Sequence, residues 1–361
     1  MAVGRRRLLL LALFSPAVVA AQSSTAPLLP PAPVSAETPA PPLRRWLELQ
    51  SVTLLTRYRF LENSADVVTG NQWQYKDVLR ARFNFDAGHR YTLNVGVFSG
   101  ANFISTWNNT GVGTGNPPRF VWTHYLKQLY ASAEPVQGFE LQYGGIYVVR
   151  GEATEWTSYD DDGYAVGERL SLRRKELFLD EIAATRAWIG PYDTPDVTKR
   201  WNGLHEANYY QVLLAKRAGR YVRASTDWTH DQGADTWRAT VAALFPPSGL
   251  LSAVRYEQYW RMDPNPAFGF ALWLERPVTS HARLQAGYAT VDEHYGGWNA
   301  DRIQRGKRVF AIGTVPILRE LTASLFFTQA FSSSYPVSNK TRLDVVLSYD
   351  LLRTLRRTGI F

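Results

Sequence analysis

LRARFNFDAGHRYTLNVGVFSG, residues 79–100, carries the pattern that decides the fold. On both sides of a short polar turn, apolar and polar side chains alternate one by one. The apolar set consists of Leu79, Ala81, Phe83, Phe85, Tyr91, Leu93, Val95 and Val97. The polar or small set between them includes Arg80, Arg82, Asn84, Asp86, Thr92, Asn94 and Gly96. Successive side chains of a strand point to opposite sides of a sheet, so the stretch predicts a β-hairpin with one apolar and one charged face.

The same alternation recurs along the chain to its last residues. FELQYGGIYVVRG (139–151) predicts Tyr147 and Val149 on the apolar face, and TRLDVVLSYDLL (341–352) repeats the pattern near the end. A soluble β-sandwich also alternates, but its strands would be shorter and its core face would rarely oppose so many charges. The sequence therefore predicts an all-β fold, a transmembrane antiparallel up-and-down barrel of about 16 strands, within a range of 14–18.

The connections between predicted strands alternate in length. Tight turns are predicted at 86–90, 134–138, 216–220 and 246–249. Longer segments are predicted at 62–72, 105–121, 152–163, 190–206, 293–306 and 331–340. The second strand is predicted at 73–86, and 164–190 is divided into two strands because one strand there would break the up-down parity. Short turns at one end and long loops at the other are typical of outer-membrane barrels.

The chain begins with a predicted export signal. Residues 1–21 hold three arginines, then LLLLALFSPAVVAA and a small-residue cleavage site. A membrane-anchoring helix is the alternative, but an apolar stretch of about 14 residues is short for a bilayer, which needs about 20. Residues 22–45 are rich in Pro and Ala and predict a flexible linker. Residues 46–361 form the predicted barrel, in one domain without a second change of composition.

Composition excludes several classes of protein. The chain has no cysteine, which excludes disulfides, zinc–thiolate sites and cysteine nucleophiles. No later segment holds 18 uninterrupted apolar residues, and the mean hydropathy is −0.25, which excludes an inner-membrane helical bundle. Without the three arginines of the predicted signal peptide, the formal net charge of +8 falls to +5, which is too small and too dispersed to indicate a nucleic-acid partner.

Three stretches within residues 77–172 resemble known outer-membrane barrels: DVLRARFNFDAG, LKQLYASAEPVQGFELQYGGIYVVRGE and DDDGYAVGERLSL. The chain resembles Gram-negative porins, and more loosely the alginate-export type of barrel. The resemblance implies a passive conduit for charged or polar solutes. The predicted strand count is nearer sixteen than the eighteen associated with the export type. Phe361 is the terminal aromatic common in such barrels, but RTLRRTGI before it breaks the alternation.

Charged residues on the predicted polar faces must point into the lumen, because a charge on the lipid face costs about 2–4 kcal/mol at mid-bilayer. The arginines of the first two strands are expected to form a basic patch on the inner wall. The predicted pore-lining residues are Arg57, Arg59, Arg80, Arg82, Glu140, Arg150, Arg255, Arg342 and Asp344.

The third long loop is acidic and is predicted to fold inward as a constriction. Its carboxylates are Glu152, Glu155, Asp160, Asp161 and Asp162. Set opposite the arginines, they would produce a transverse field that orients dipolar solutes. Alternatively, luminal charges only neutralise one another and DDDG is a solvated loop tip. A calcium site is a further alternative, although three adjacent Asp cannot all turn to one ion that needs six to eight oxygens.

Catalysis has little support in the sequence. His230 with Asp227 or Asp231, and His294 with its acidic neighbours, are the candidate acid/base pairs, and solvated histidines are the simpler interpretation. We predict a non-enzymatic outer-membrane channel without cofactor or metal, for diffusion of small hydrophilic solutes with a weak bias to anionic ones. A barrel hydrolase or a plugged or structural barrel is the alternative. The expected partners are outer-membrane lipids and such solutes, and a homotrimer is expected by analogy with sixteen-strand porins.

Overall fold

The computed structural model describes residues 46–103, 121–153, 164–174, 178–190, 196–231, 233–246, 249–262, 265–279, 282–292, 305–332 and 339–359. The predicted signal peptide, the linker and Phe361 lie outside these ranges. None of the helices within them has the length and apolar character needed to cross a membrane.

Sixteen antiparallel strands form one closed barrel, in which each strand pairs with its neighbours in sequence and β1 pairs with β16. The strands are β1 (Leu47–Glu62), β2 (Val68–Asn84), β3 (Tyr91–Ala101), β4 (Thr123–Val136), β5 (Phe139–Tyr147), β6 (Tyr164–Leu172), β7 (Glu181–Trp188), β8 (Tyr209–Ala218), β9 (Val222–Asp231), β10 (Ala234–Leu244), β11 (Ala253–Arg261), β12 (Ala267–Pro277), β13 (Arg283–Val291), β14 (Gly306–Pro316), β15 (Leu321–Ser332) and β16 (Thr341–Asp350). The predicted fold class and strand number are confirmed.

Two short helices accompany the barrel. A 3-10 helix, Val197–Gly203, lies between β7 and β8 and contacts β4 and β6. Helix α1 (Leu351–Arg357) follows β16 directly and packs against β1. Asp350 caps α1 by accepting a hydrogen bond from the Arg353 amide. The break of alternation near the C-terminus therefore marks a helix, and β16 is not longer than predicted.

We call the end of the barrel where β1 begins and β16 ends the terminal end, and the opposite end the distal end. The connections at the terminal end have two to eight residues. At the distal end, β1–β2, β9–β10 and β11–β12 have two to five residues, β15–β16 has eight, and the other four have 14 to 21. The first predicted loop, 62–72, is wrong in its extent because β2 begins already at Val68.

Alternation of buried and exposed side chains separates an inner and an outer face. In β14 the side chains of Arg308 and Phe310 are buried, and those of Lys307 and Val309 are exposed. Most large exposed residues on the outer face are apolar or aromatic, and the inner face carries polar and charged residues. This is the pattern that a barrel wall needs between lipid and a polar interior.

Strand β5 ends at Tyr147, before the end of the predicted alternating stretch 139–151. Gly144 has φ +125°, and a Cβ there would lie 2.4 Å from the Leu129 carbonyl oxygen, so only glycine fits. Beyond it the simple alternation ends, and the Tyr147 hydroxyl accepts a hydrogen bond from inward-facing Arg80 at 2.7 Å. The prediction that Tyr147 faces outward is therefore wrong, because the positive φ at Gly144 reorients the strand that follows.

Candidate functional site: the inner wall and the segment that crosses it

The inner wall is densest in charge where β1 meets β16. Arg59 donates to both oxygens of Asp344, at 3.1 and 3.2 Å, and Arg342 binds the same carboxylate from its own strand. The Arg57 guanidinium lies 3.9 Å from Asp344 and donates to Gln74 at 2.7 Å. The structure thus brings together four of the predicted pore-lining residues. Three cations surround one carboxylate, so this cluster is net positive.

The neighbouring inner wall of β2–β4 places further cations against aromatic rings. Lys76 and Lys127 lie over the Phe98 ring, 5.5 and 4.9 Å from its centroid, and Arg80 lies 5.5 Å from the same centroid. The Arg57 guanidinium lies 4.0 Å from the Phe103 centroid. The electron-rich faces of the rings attract cations and hold them along the wall.

Sequence reasoning missed Lys76 and Lys127. Lys76 has the same parity as Arg80 on β2, and extending the alternation back by four residues from Arg80 would have found it. Lys127 had no such signal. A β-bulge shifts the pairing of β4 with β3 between Gly96 and Val97, so simple alternation along β4 does not predict the side to which Lys127 points.

Residues 148–153, which we call the luminal segment, leave the sheet after β5 and run along the inner wall. The Tyr147 carbonyl, just before the segment, accepts from Arg169 of β6, and the Val149 carbonyl accepts from Gln211 of β8 at 2.8 Å. The Glu152 amide donates to the Ser225 hydroxyl of β9 at 2.8 Å. The segment therefore passes β6, β8 and β9 in turn and stays inside the barrel.

Glu152 extends this path to β11. Its carboxylate lies 3.7 Å from Arg255, which also donates to Glu275 of β12 at 2.7 Å. Two predicted residues, Glu152 and Arg255, thus meet although they are far apart in the sequence. Both Arg255 and Glu275 lie close to the terminal ends of their strands, so the segment reaches deep into the barrel.

Gly151 allows the luminal segment to approach the wall. It has φ +59°, and a Cβ there would lie 2.7 Å from Ser225 Oγ and 2.9 Å from a methyl carbon of Leu213. Gln211, which holds the segment, is itself fixed by Asp227 at 2.7 Å. Asp227 accepts two hydrogen bonds from Arg238, so the segment lies on a rigid polar network.

The remaining predicted pore-lining residues lie away from the contact between Glu152 and Arg255. Arg82 donates to Asn94 at 3.3 Å and lies 3.7 Å from Glu48. Glu140 accepts from Ser132 at 2.6 Å and from Arg173 at 3.1 Å. Arg150 belongs to the luminal segment, where its carbonyl accepts from the Ala153 amide. Glu155, Asp160, Asp161 and Asp162 lie outside the described residues, as does the calcium hypothesis for that acidic run.

The two sides of the inner wall differ in charge. On β1–β4 and β14–β16 the described inward cations outnumber the carboxylates of Glu48, Glu134 and Asp344; they are Arg57, Arg59, Lys76, Arg80, Arg82, Lys127, Arg308 and Arg342. On the opposite side several arginines pair with acids, as Arg238 does with Asp227 and Arg255 with Glu275. Among the described residues, the excess of positive charge therefore lies on the β1–β16 side of the inner wall.

The histidine pair suggested by the sequence does not form. Asp227 faces inward to Arg238, whereas His230 faces outward and its Nδ1 lies 2.9 Å from Asp235. Within the described ranges, no group of three or more His, Asp or Glu residues could hold a metal ion. The residues near His294 lie outside the description.

Comparison with solved structures identifies the same barrel in bacterial porins. Salmonella typhi OmpF, solved with daunomycin, matches with a TM-score of 0.52 at 10% identity, over 84% of this chain and 97% of that chain. Pseudomonas putida OprB, solved at low pH, matches with a TM-score of 0.51 at 10% identity, over 85% and 93%. A mutant porin of Rh. blastica matches with a TM-score of 0.50 at 10% identity, over 84% and 99%.

Sequence comparison adds no closer relationship: no family model matches this chain, and no curated protein matches it significantly. At these identities the solved structures speak for the fold, and the likeness to the alginate-export type is not confirmed. The chain has the closed sixteen-strand antiparallel barrel fold of bacterial porins.

Proposed function

We propose that the protein is a channel of the bacterial outer membrane, through which small hydrophilic solutes diffuse without a cofactor. An apolar exterior around a charged interior supports a membrane location, because lipid tolerates the first and excludes the second. In this arrangement residues 1–21 serve export, residues 22–45 link the signal to the barrel, and the terminal end faces the periplasm.

The observation that carries this proposal is the luminal segment lying opposite a cation-rich wall. Such a segment narrows the passage, so that a solute crosses close to charged groups on both sides. In a narrow polar passage the local field selects ions more strongly than in bulk water. Because Lys76, Arg80 and Lys127 lie among an excess of cations, we propose a bias toward anionic solutes.

Single-channel recording of the refolded protein under a KCl gradient tests both parts of the proposal. Stable current steps are expected, with a reversal potential of the sign that reports anion preference. The double variant K76Q/K127Q removes two inward cations, and we expect the anion-to-cation permeability ratio to fall several-fold. The control K307Q removes an outward cation of β14 and should leave the ratio unchanged. A cation-selective wild type would contradict the anionic bias.

A barrel closed by its own loops is a second candidate, favoured by the burial of the inner wall. Arg308 and Lys127 are fully buried and Glu257 is 1% exposed, although all three face inward. An open water-filled pore would leave such groups more accessible. Folded barrels, verified by their heat-modified electrophoretic mobility, that pass no current would establish the closed barrel and overturn the channel.

A further inference from the structure

Helix α1 is fixed to the rim of the barrel at the terminal end. Arg353 donates to the Arg319 carbonyl in the β14–β15 turn at 2.6 Å, and the guanidinium of Arg357 lies 2.8 Å from the carboxylate of Glu320 in the same turn. On the other side of the seam, Arg356 donates to a backbone carbonyl of β1 at 3.2 Å. The helix therefore reaches from the β14–β15 turn to β1 and holds its arginines across the end of the seam.

Tyr349, the last outward residue of β16, shows on which side of the wall the helix lies. Tyr349 is directly opposed to Leu54 of β1, which is exposed on the outer face. Directly opposed residues of an antiparallel pair point to the same side of the sheet, so Tyr349 also faces outward. Its hydroxyl lies 2.7 Å from the hydroxyl of Thr354 in α1. This contact brings α1 to the outer edge of the rim.

Four exposed arginines lie together at this edge, and we call them the rim patch. They are Arg319, Arg353, Arg356 and Arg357. The two acids next to them in the sequence are engaged in other contacts: Glu320 is buried and pairs with Arg357, and Asp350 caps α1. The rim patch therefore presents an excess of positive charge. A guanidinium has five N–H donors, and Arg353 and Arg356 each use one of them on a backbone carbonyl.

Large apolar side chains are exposed beside the rim patch. Ile317 and Leu318 precede Arg319 in the β14–β15 turn, and Trp46 directly precedes β1. Leu318 is 56% exposed. Exposed apolar side chains next to arginines suit the boundary between hydrocarbon and lipid headgroups, because the apolar groups enter the hydrocarbon while the guanidinium groups remain at the level of the phosphates. This part of the rim therefore has the character of a membrane-interface surface.

We propose that the rim patch binds the phosphate groups of anionic phospholipids in the leaflet that meets the terminal end. Charge complementarity selects this occupant, because guanidinium groups bind phosphate through paired hydrogen bonds, and clustered arginines favour a lipid of net negative charge over a zwitterionic one. The exposed apolar side chains next to the patch favour a phospholipid over dissolved phosphate, since they suit its hydrocarbon chains. The inference rests on the proposed membrane location but not on conduction.

The absence of cysteine from the chain allows one fluorescent label to be placed beside the rim patch. L318C carries the label next to Arg319. L250C is the matched control: Leu250 is an exposed leucine, at 70%, in another turn of the terminal end, and that turn, residues 245–252, contains no charged residue. The full chain is refolded into phosphatidylcholine vesicles in which a small fraction of the lipid is brominated, either phosphatidylcholine or phosphatidylglycerol. Bromine quenches a label that lies beside the brominated lipid.

We expect brominated phosphatidylglycerol to quench the label of L318C several-fold more than brominated phosphatidylcholine does. The two lipids should quench the label of L250C equally. Added salt should weaken the preference at L318C, because it screens the attraction between arginines and phosphates. Equal quenching of the L318C label by the two lipids would overturn the proposal.

Removal of charge in the L318C background tests the arginines themselves. R319Q/R356Q should abolish the preference for phosphatidylglycerol. The control R217Q/R223Q removes the same charge from two directly opposed arginines at the terminal ends of β8 and β9, and should keep the preference. A preference that survives R319Q/R356Q, in barrels verified as folded by their heat-modified mobility, would overturn the proposal. No quenching at either leucine by either lipid would instead overturn the membrane location, so the two failures are distinguishable.

Discussion

At the residue scale, single glycines decide where the chain can enter the lumen. Gly151 combines a left-handed φ with contacts from Ser225 and Leu213. Gly219 has nearly the same φ, +60°, but nothing within 4 Å of the position of a Cβ. Substitutions at these two positions can therefore be compared to separate two effects of a side chain: the conformational cost of the left-handed backbone and the cost of steric contact with neighbouring atoms.

We therefore expect G151A to displace the luminal segment and G219A to leave it in place. Both variants bear the cost of a non-glycine residue in the left-handed region, about 1–3 kcal/mol. Only G151A also places a methyl group 2.7 Å from Ser225 Oγ. Urea unfolding with single-channel recording checks the prediction: both variants lose stability, and only G151A changes the conductance. Identical currents in the two variants would count against a luminal role for the segment.

Asp86 in the β2–β3 turn gives a prediction about pH. The amide of Tyr91, together with those of Arg90 and Gly88, donates to its carboxylate and holds the pKa of Asp86 below its ordinary value. A lowered pKa means that the ionised group stabilises the turn above its unfolded pKa, near 3.9, and that this contribution is lost as pH falls through the folded pKa.

Amide exchange at Arg90 and Tyr91 measures this effect between pH 6 and pH 3. Protection is expected to decrease at the acidic end in the wild type, and a carboxylate NMR titration should give a midpoint below that of a free Asp. D86N keeps the shape of the side chain without its charge, so its protection should be lower and independent of pH in this range. A wild-type midpoint above 4 would contradict the argument.

Residue identities on the inner wall were predictable where alternation was unbroken, and less so elsewhere. Parity predicted the inward positions of Arg57, Arg59 and Arg342, and their convergence on Asp344 follows from strand register, which sequence parity does not give. Tyr147 was misplaced because φ at Gly144 is a backbone property without a parity signal.

At the element scale, sixteen strands were predictable because the period of two and the turn residues agree over most of the chain. The predicted strand boundaries are wrong where the period of two and the turn residues disagree. Gly70 and Asn71 read as loop residues, but they pair with Leu61 and Phe60 inside the sheet. The end of β5 was placed four residues late because apolar residues continue into the luminal segment, where they pack inside the barrel.

Gln211 on β8 joins that segment to the wall, and its loss should free the segment. The amide of Gln211 donates to both Asp227 and the Val149 carbonyl, so Q211L removes the link and leaves the strand intact. We expect larger fluctuations of the open-channel current, recorded at constant voltage. Q285L changes an inward glutamine of β13, on another part of the wall, and should show wild-type noise. Unchanged noise in Q211L would show that other contacts suffice.

At the scale of the whole molecule, the barrel depends on the seam between β1 and β16. Asp344 is buried there among Arg57, Arg59 and Arg342. Removing its charge leaves three buried guanidinium groups without their shared carboxylate. Breaking a buried ion pair typically costs about 3–5 kcal/mol, whereas an exposed pair contributes about 0–1 kcal/mol.

D344N is therefore expected to lower the free energy of unfolding of the whole barrel by about 3–5 kcal/mol. D66N removes an exposed carboxylate that pairs with Lys340 near the distal end of the same seam, and should cost less than about 1 kcal/mol. Urea titrations of the refolded proteins in detergent measure both values. Similar losses in the two variants would mean that the buried cluster does not hold the seam.

The seam also has a consequence for the order of folding. All the other strand pairs of the barrel join strands that are neighbours in the sequence. The β1–β16 pair instead joins residues as far apart as Arg59 and Asp344, which are separated by 285 positions. Contacts between distant parts of a chain form late, because a long loop must first be closed. The free edge of β1 must therefore wait until β16 has been made, and until then it can pair with the edge of any other unfinished sheet. The time between the first strand and the last is the period in which this protein needs protection from aggregation.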